Sequence, residues 1–295
     1  MLSAQETRQL DRLTIHGASN ASPAASTNLR RAAAAGHGLD FHDFRHYQPG
    51  DDPRRIDWTI AARHRQLVVR QFRAEGHIRV HVLVDISRSM TLGRPAKMAC
   101  AMKLASALSY IAAHHGDAVG VATFDRRLTS HVPAATGRPH LFRVLETLEE
   151  AVEGGESDID RVLQSYGGIA AGPGLAVVLS DFLQPGLTLD GARYLLYRGL
   201  TPALVQIVSD DELEPGFRED EDTIELIDVE RRAASPLLVG RTAVAAYQRR
   251  MTMLTAELRQ FCATRGLPWM QTVSSSGFEQ MLDACVRAGL LATAA

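Results

Sequence analysis

The sequence is short of several things that mark whole classes of protein. Its 295 residues hold three cysteines, Cys100, Cys262 and Cys285, too few and too scattered for a disulfide framework or a cysteine zinc site. That usage points to a reducing compartment. An excess of one charge is also missing. Lys and Arg number 32 against 34 Asp and Glu, a formal charge of −2, so nothing draws the whole chain toward nucleic acid or an anionic membrane. No apolar run approaches the roughly 20 residues that span a bilayer, because the richest stretch, Leu104 to Ala113, is interrupted by Ser106, Ser109 and Tyr110. Glu6, Arg8, Asp11 and Arg12 stand where a secretory signal needs an apolar segment. A cytoplasmic protein without a membrane span is the resulting expectation. Nucleotide and nucleophile signatures are missing too. There is no G-x-x-x-x-G-K-[ST] loop, no G-x-G-x-x-G after the first core strand and no G-x-S-x-G elbow.

What is present is an ordinary globular composition, 45% hydrophobic and 22% charged, which excludes wholesale disorder. Residues 1–35 read as a short helix and a flexible linker, since SNASPAAST offers little to offset the entropy of ordering. Residues 36–77 are a dense polar module rich in Arg and Asp, expected to pack on the body of the protein. From residue 78 to 295 short apolar runs alternate with helical periodicity. Strands are expected at 78–85, 118–124, 174–181, 203–208 and 269–273. They are apolar on both faces, as in a sheet covered on both sides. Helices are expected at about 95–114, 138–152, 157–166, 187–198, 241–265 and 277–290. The segment 127–134 reads as an antiparallel edge strand and 222–240 as an inserted β-hairpin. The fold class is therefore α/β, a doubly wound, mostly parallel sheet with an N-terminal polar extension.

In such a sheet, ligands sit outside the carboxyl ends of the strands. The first core strand ends in Asp85-Ile86-Ser87-Arg88-Ser89-Met90. A carboxylate and two hydroxyls at i, i+2 and i+4, in a loop leaving a strand, can converge on one point. Oxygen ligands of this kind suit a hard cation, Mg2+ or Mn2+. Ser157, in Gly154-Gly155-Glu156-Ser157-Asp158, and Asp181, after the strand ending in Ser180, are the candidates to complete the set. Serine and aspartate also favour helix N-caps, which is the alternative reading of each.

The order Asp-x-Ser-x-Ser after a strand, then a hydroxyl loop, then Asp after a later strand, resembles the metal-ion-dependent adhesion site of von Willebrand factor type A domains. More closely, the chain resembles the bacterial domain of unknown function 58 family, through residues 41–75, DISRSM (85–90), GDAVGVATFD (116–125), LSDFL (179–183) and SDDELEP (209–215). Two departures stand out: Ser157 where the adhesion site usually has Thr, and Asp181-Phe182 where many type A domains have Asp-Gly. The resemblance implies a type A-like fold, a Mg2+ site and a protein partner, with MoxR-type AAA+ ATPases as the partners the family suggests.

The favoured function is non-catalytic. Asp85, Ser87, Ser89, Ser157 and Asp181 hold Mg2+, whose open coordination position takes a partner carboxylate, with Arg88 and Phe182 as flanking partner contacts. The partner is an AAA+ ATPase or its client, and this chain serves as adaptor or co-chaperone. The alternative is a Mg2+-dependent phosphoester hydrolase with Asp85 as nucleophile. It lacks a second carboxylate for acid–base work, since position 87 is Ser. In the polar module, Arg45, Arg54, Arg55 and Arg63 are interleaved with Asp51, Asp52 and Asp57. That interleaving favours an internal Arg–carboxylate clamp over nucleic-acid binding.

Overall fold

The computed structural model describes residues 2–16, 40–47, 56–58, 60–61, 67–73, 77–184, 186–214, 224–228, 233–237 and 241–294. Its elements are α1 (Ala4–Leu10), β1 (Leu13–Ile15), β2 (Asp40–His46), β3 (Val68–Arg73), β4 (Arg79–Asp85), α2 (Lys97–His114), β5 (Ala118–Phe124), β6 (Leu128–Ala135), α3 (Arg138–Glu149), α4 (Ile159–Ile169), β7 (Gly174–Ser180), α5 (Asp190–Tyr197), β8 (Leu200–Val208), α6 (Asp210–Leu213), β9 (Ile224–Asp228), β10 (Ala233–Leu237), α7 (Arg241–Ala263), β11 (Trp269–Val273), α8 (Phe278–Arg287) and β12 (Leu291–Thr293). They fall into two compact units, Met1–Ser26 with Arg79–Ala295, and Thr27–Ile78.

The larger unit is built on a six-stranded sheet in the order β11-β8-β7-β4-β5-β6. All neighbours are parallel except β5 and β6, which pair antiparallel. This is the doubly wound, mostly parallel α/β sheet that the alternation of elements predicts. The burial of each strand follows its place. Central β7 is buried along its whole length, whereas edge strand β6 alternates. One face of the sheet packs Leu83, Ala122, Ala176, Val178 and Leu204 against Ile159, Val162, Leu163 and Tyr166 of α4, Ala192 and Leu195 of α5, and Leu254, Leu258 and Phe261 of α7. The apolar residues of α4 recur at the i, i+3, i+4, i+7 spacing of a one-sided helix, and Asp158 caps it by accepting from the Arg161 amide at 3.3 Å. Helix α2 covers the opposite face with Leu104, Ala105, Leu108, Ile111 and Ala112.

Strand β8 begins at Leu200, three residues before its expected start, and runs through Pro202. A proline cannot donate to a ladder. Pro202 pairs only with Ala176 of β7, because β11 joins β8 from Leu204 onward. Its missing N–H thus falls on the open side, where proline is tolerated. The chain start is tied to its end: β1 pairs antiparallel with β12, and the His16 amide donates to Leu290 O at 2.9 Å. Helix α1 opens with a capping box between Ser3 and Glu6. The expected hairpin at 222–240 is formed by β9 and β10.

In the smaller unit, β2 and β3 pair antiparallel from Asp40↔Arg73 to His46↔Val68. Asp57 is buried, and its Oδ1 accepts from the Ile60 amide at 3.1 Å. The other members of the expected clamp, Asp51, Asp52, Arg54, Arg55 and Arg63, lie outside the described residues, as does the side chain of Arg45.

Candidate functional site

The strand order reverses between β4 and β7. From β4 the chain proceeds to β5 and β6 on one side, and from β7 to β8 and β11 on the other. At such a switch point the connections leave in opposite directions and open a crevice at the carboxyl ends of the two strands. Asp85 is the last residue of β4, and Ser180 the last of β7.

Asp85 is fully buried and organises the site. Its Oδ1 accepts the Ser87 amide at 2.9 Å. Its Oδ2 accepts the Ser157 hydroxyl at 3.1 Å and the Ser180 hydroxyl at 2.6 Å. The hydroxyls of Ser87 and Ser89 lie 3.1 Å apart, at the start of the 3-10 turn Arg88–Thr91. Asp85, Ser87, Ser89 and Ser157 thus lie together at the carboxyl ends of the strands. Ser180 is a further member that the sequence reading passed over. The signal was present, a hydroxyl immediately before Asp181 at the end of a buried strand.

The loop that carries Ser157 is fastened from two sides. The Gly154 amide donates to Ile86 O at 2.7 Å and the Arg88 amide to Gly155 O at 3.0 Å. Asp125, just past β5, accepts the Gly155 amide at 3.0 Å through Oδ2. Gly154 is needed there, because a Cβ would stand 2.9 Å from both Cβ and Oδ2 of Asp125.

Asp181 is buried beside the site but engaged elsewhere. Its Oδ1 accepts the Leu183 amide at 3.0 Å, and its Oδ2 accepts Lys97 Nζ at 2.7 Å. Lys97 is 0% exposed and also forms an ion pair with Glu212 of α6. Burial opposes its charge, but Asp181 and Glu212 outweigh that and hold the ammonium above its ordinary pKa. Neither Lys97 nor Glu212 was singled out from the sequence. The available clue was a lysine opening a mostly apolar helix, at the end where the helix dipole disfavours a cation.

Phe182 corrects one expectation. As a partner contact it would have to be accessible, yet it is fully buried in the core cluster with Leu83, Val178 and Leu204. Its backbone has φ of 58°, the left-handed conformation that glycine adopts freely. Two turn bonds hold it there, Phe182 N–H to Ser180 Oγ at 3.0 Å and the Leu183–Asp181 bond. Asp181-Phe182 therefore reaches the glycine-like turn with a ring that fills the core. Arg88 lies at the rim, its Nε 3.7 Å from Glu153.

The donors reaching Asp85 are hydroxyls and an amide, all neutral. Burial, and then the nearby Asp181, push its pKa upward. A buried carboxylate ringed by hydroxyl oxygens, with a second carboxylate close by, is a chemistry that a hard divalent cation fits. Among the described residues, no group of three or more His, Cys, Asp or Glu could hold a metal. The candidate set is instead dominated by serine.

Over 155 residues the chain is 32% identical to an uncharacterised protein of Mycobacterium bovis and to one of Mycobacterium tuberculosis, covering 51% of this chain and 49% of each relative. The chain thus spans about half the length of the curated relatives it matches. Similar solved structures include the conserved hypothetical protein BatB from Bacteroides thetaiotaomicron, at 13% identity and TM-score 0.44, over 72% of this chain and 98% of that one. Another is a von Willebrand factor type A protein from Catenulispora acidiphila, at 16% identity and TM-score 0.38, over 48% of this chain and 34% of that one. Among the described residues, no helix is long and apolar enough to cross a membrane. The family described as protein of unknown function DUF58 matches residues 43–250, and the chain belongs to it.

Proposed function

We propose that the larger unit is a metal-dependent protein-interaction module. The observation that carries this reading is the convergence of Asp85, Ser157 and Ser180, with Ser87 and Ser89 alongside, at the switch point of the sheet. Asp85, Ser87, Ser89 and Ser157 would hold Mg2+, or Mn2+ in its place, and Asp181 would act from the layer behind. The bound cation would supply a Lewis-acidic position for an anionic oxygen. With one direct carboxylate it keeps net positive charge, so a Glu or Asp of a partner protein is the fitting ligand. Arg88 at the rim would steer that acidic partner.

The site supports binding better than hydrolysis. The groups around Asp85 donate hydrogen bonds to it, and Lys97 holds Asp181, so neither of these two carboxylates stands ready as acid or base. The family resemblance suggests a MoxR-type AAA+ ATPase as partner, with this chain as its adaptor or co-chaperone, and a cytoplasmic setting.

The test is binding of a purified MoxR-type ATPase from the same cell, measured with Mg2+, with EDTA, and with Asp85→Ala. Binding that needs both the metal and Asp85 supports the reading. Binding that survives EDTA and the substitution unchanged sinks it.

A further inference from the structure

A lysine with no exposed surface, at the first residue of a helix, is costly twice over. Burial removes its hydration, and the helix N-terminus repels positive charge. Lys97 is kept there by Asp181 Oδ2 at 2.7 Å and by Glu212. Glu212 is itself fixed, since its Oε2 accepts the Ser209 amide at 2.8 Å in the capping box that opens α6. Asp181 therefore faces two ways. Its electrostatic field reaches Asp85, while its Oδ2 is occupied by an ammonium.

We propose that Lys97 is a positioning residue that sets the charge of the metal site. It holds Asp181 away from the cation and lowers the affinity of the free protein for metal, so that the bound ion stays electrophilic toward a partner's carboxylate. This rests on the reading of Asp85 and its hydroxyls as a metal site. The formal charges make the argument. Asp85, Asp181 and Glu212 carry −3 together, Lys97 brings the group to −2, and one divalent cation brings it to zero. Without Lys97 the same cation would leave −1, bind more tightly, and repel an incoming carboxylate. Without the charge of Glu212, Lys97 would act on Asp181 alone and the cation would bind more weakly. A lysine that merely props up the fold predicts the opposite sign for its own removal, because loosening Asp181 would loosen the site.

The test is calorimetric titration of Mn2+ into the wild type, Lys97→Met, Glu212→Gln and Asp85→Ala, with near-UV circular dichroism to confirm folding. The expected result is binding at least about tenfold tighter in Lys97→Met, weaker in Glu212→Gln, and lost in Asp85→Ala. If the wild type binds and Asp85→Ala does not, but Lys97→Met binds equally or more weakly, the proposal is overturned while the metal site stands. If Asp85→Ala binds like the wild type, or neither the wild type nor Lys97→Met binds Mn2+, the metal site falls and the proposal with it. Should Lys97→Met not fold, Glu212→Gln decides: weaker binding supports the proposal, and equal or tighter binding overturns it.

Discussion

Phe182 shows how one residue can carry two opposed terms. Its left-handed backbone, φ of 58°, costs roughly 1–2 kcal/mol for a residue with a Cβ, whereas truncating a buried Phe costs roughly 3–5 kcal/mol. Phe182→Gly is therefore expected to lose about 1–4 kcal/mol in urea unfolding, yet to keep any metal-induced stabilisation, because the turn prefers glycine. A gain in stability would mean that strain dominates. Gly154 is the converse case, a position where any side chain meets Asp125. Gly154→Ala is expected to cost about 1–3 kcal/mol and to shrink the metal-induced rise in Tm, since the loop must shift Ser157 away from Asp85. An unchanged metal response would show that Ser157 is not a ligand. At this scale the sequence was legible where spacing is local. Asp85, Ser87 and Ser89 lie within one loop, so their convergence follows from a strand ending there. Lys97 meets Asp181 and Glu212 only through the fold, across sequence separations that no local pattern encodes. Phe182 could not be placed from the sequence because the sign of its φ depends on what its ring packs against.

Elements repeat that contrast. Strands buried on both faces, such as β5 and β7, announce themselves by apolar runs, and the helices between them by periodicity. The start of β8 was hidden by Pro202, whose tolerance depends on which neighbour is missing. The pairing of β1 with β12 joins the two ends of the larger unit and has no local signature in three-residue strands. Helix α1 shares in this tie through Glu6, which pairs with Lys103 of α2. The Lys103 hydrogen bond, with the Ser3 amide, lowers the Glu6 pKa from 4.5 to about 2. A carboxyl depressed on folding stabilises the native state above its unfolded pKa, and that contribution fades as pH falls from 4.5 toward 2. Glu6→Gln keeps the capping box but loses the charge. It is expected to be less stable than the wild type at pH 7 by at most ~1 kcal/mol, since both side chains stay partly exposed, and to converge on it as pH falls through 2. Urea midpoints from pH 7 to below pH 2 check this, and a difference that persists below the folded pKa of about 2 would assign the effect to the cap.

At the scale of the molecule, the order of strands puts the carboxyl ends of β4 and β7 side by side, and nearly all the candidate chemistry lies on the loops that leave them or close over them. Membership of the DUF58 family and the doubly wound sheet with its inserted hairpin were both readable from motif order and alternation. The partner was not, because nothing in the chain's own pattern encodes the surface it meets. The central claim is that Asp85 and the surrounding hydroxyls bind a divalent cation. The most direct measurement is the Tm of the wild type and of Asp85→Ala with Ser87→Ala, each with Mg2+ and with EDTA. A ligand that binds only the native state raises Tm by mass action. The account predicts a Mg2+-dependent rise in the wild type and none in a folded double variant. An equal rise in both, or no rise in the wild type at millimolar Mg2+, would contradict it.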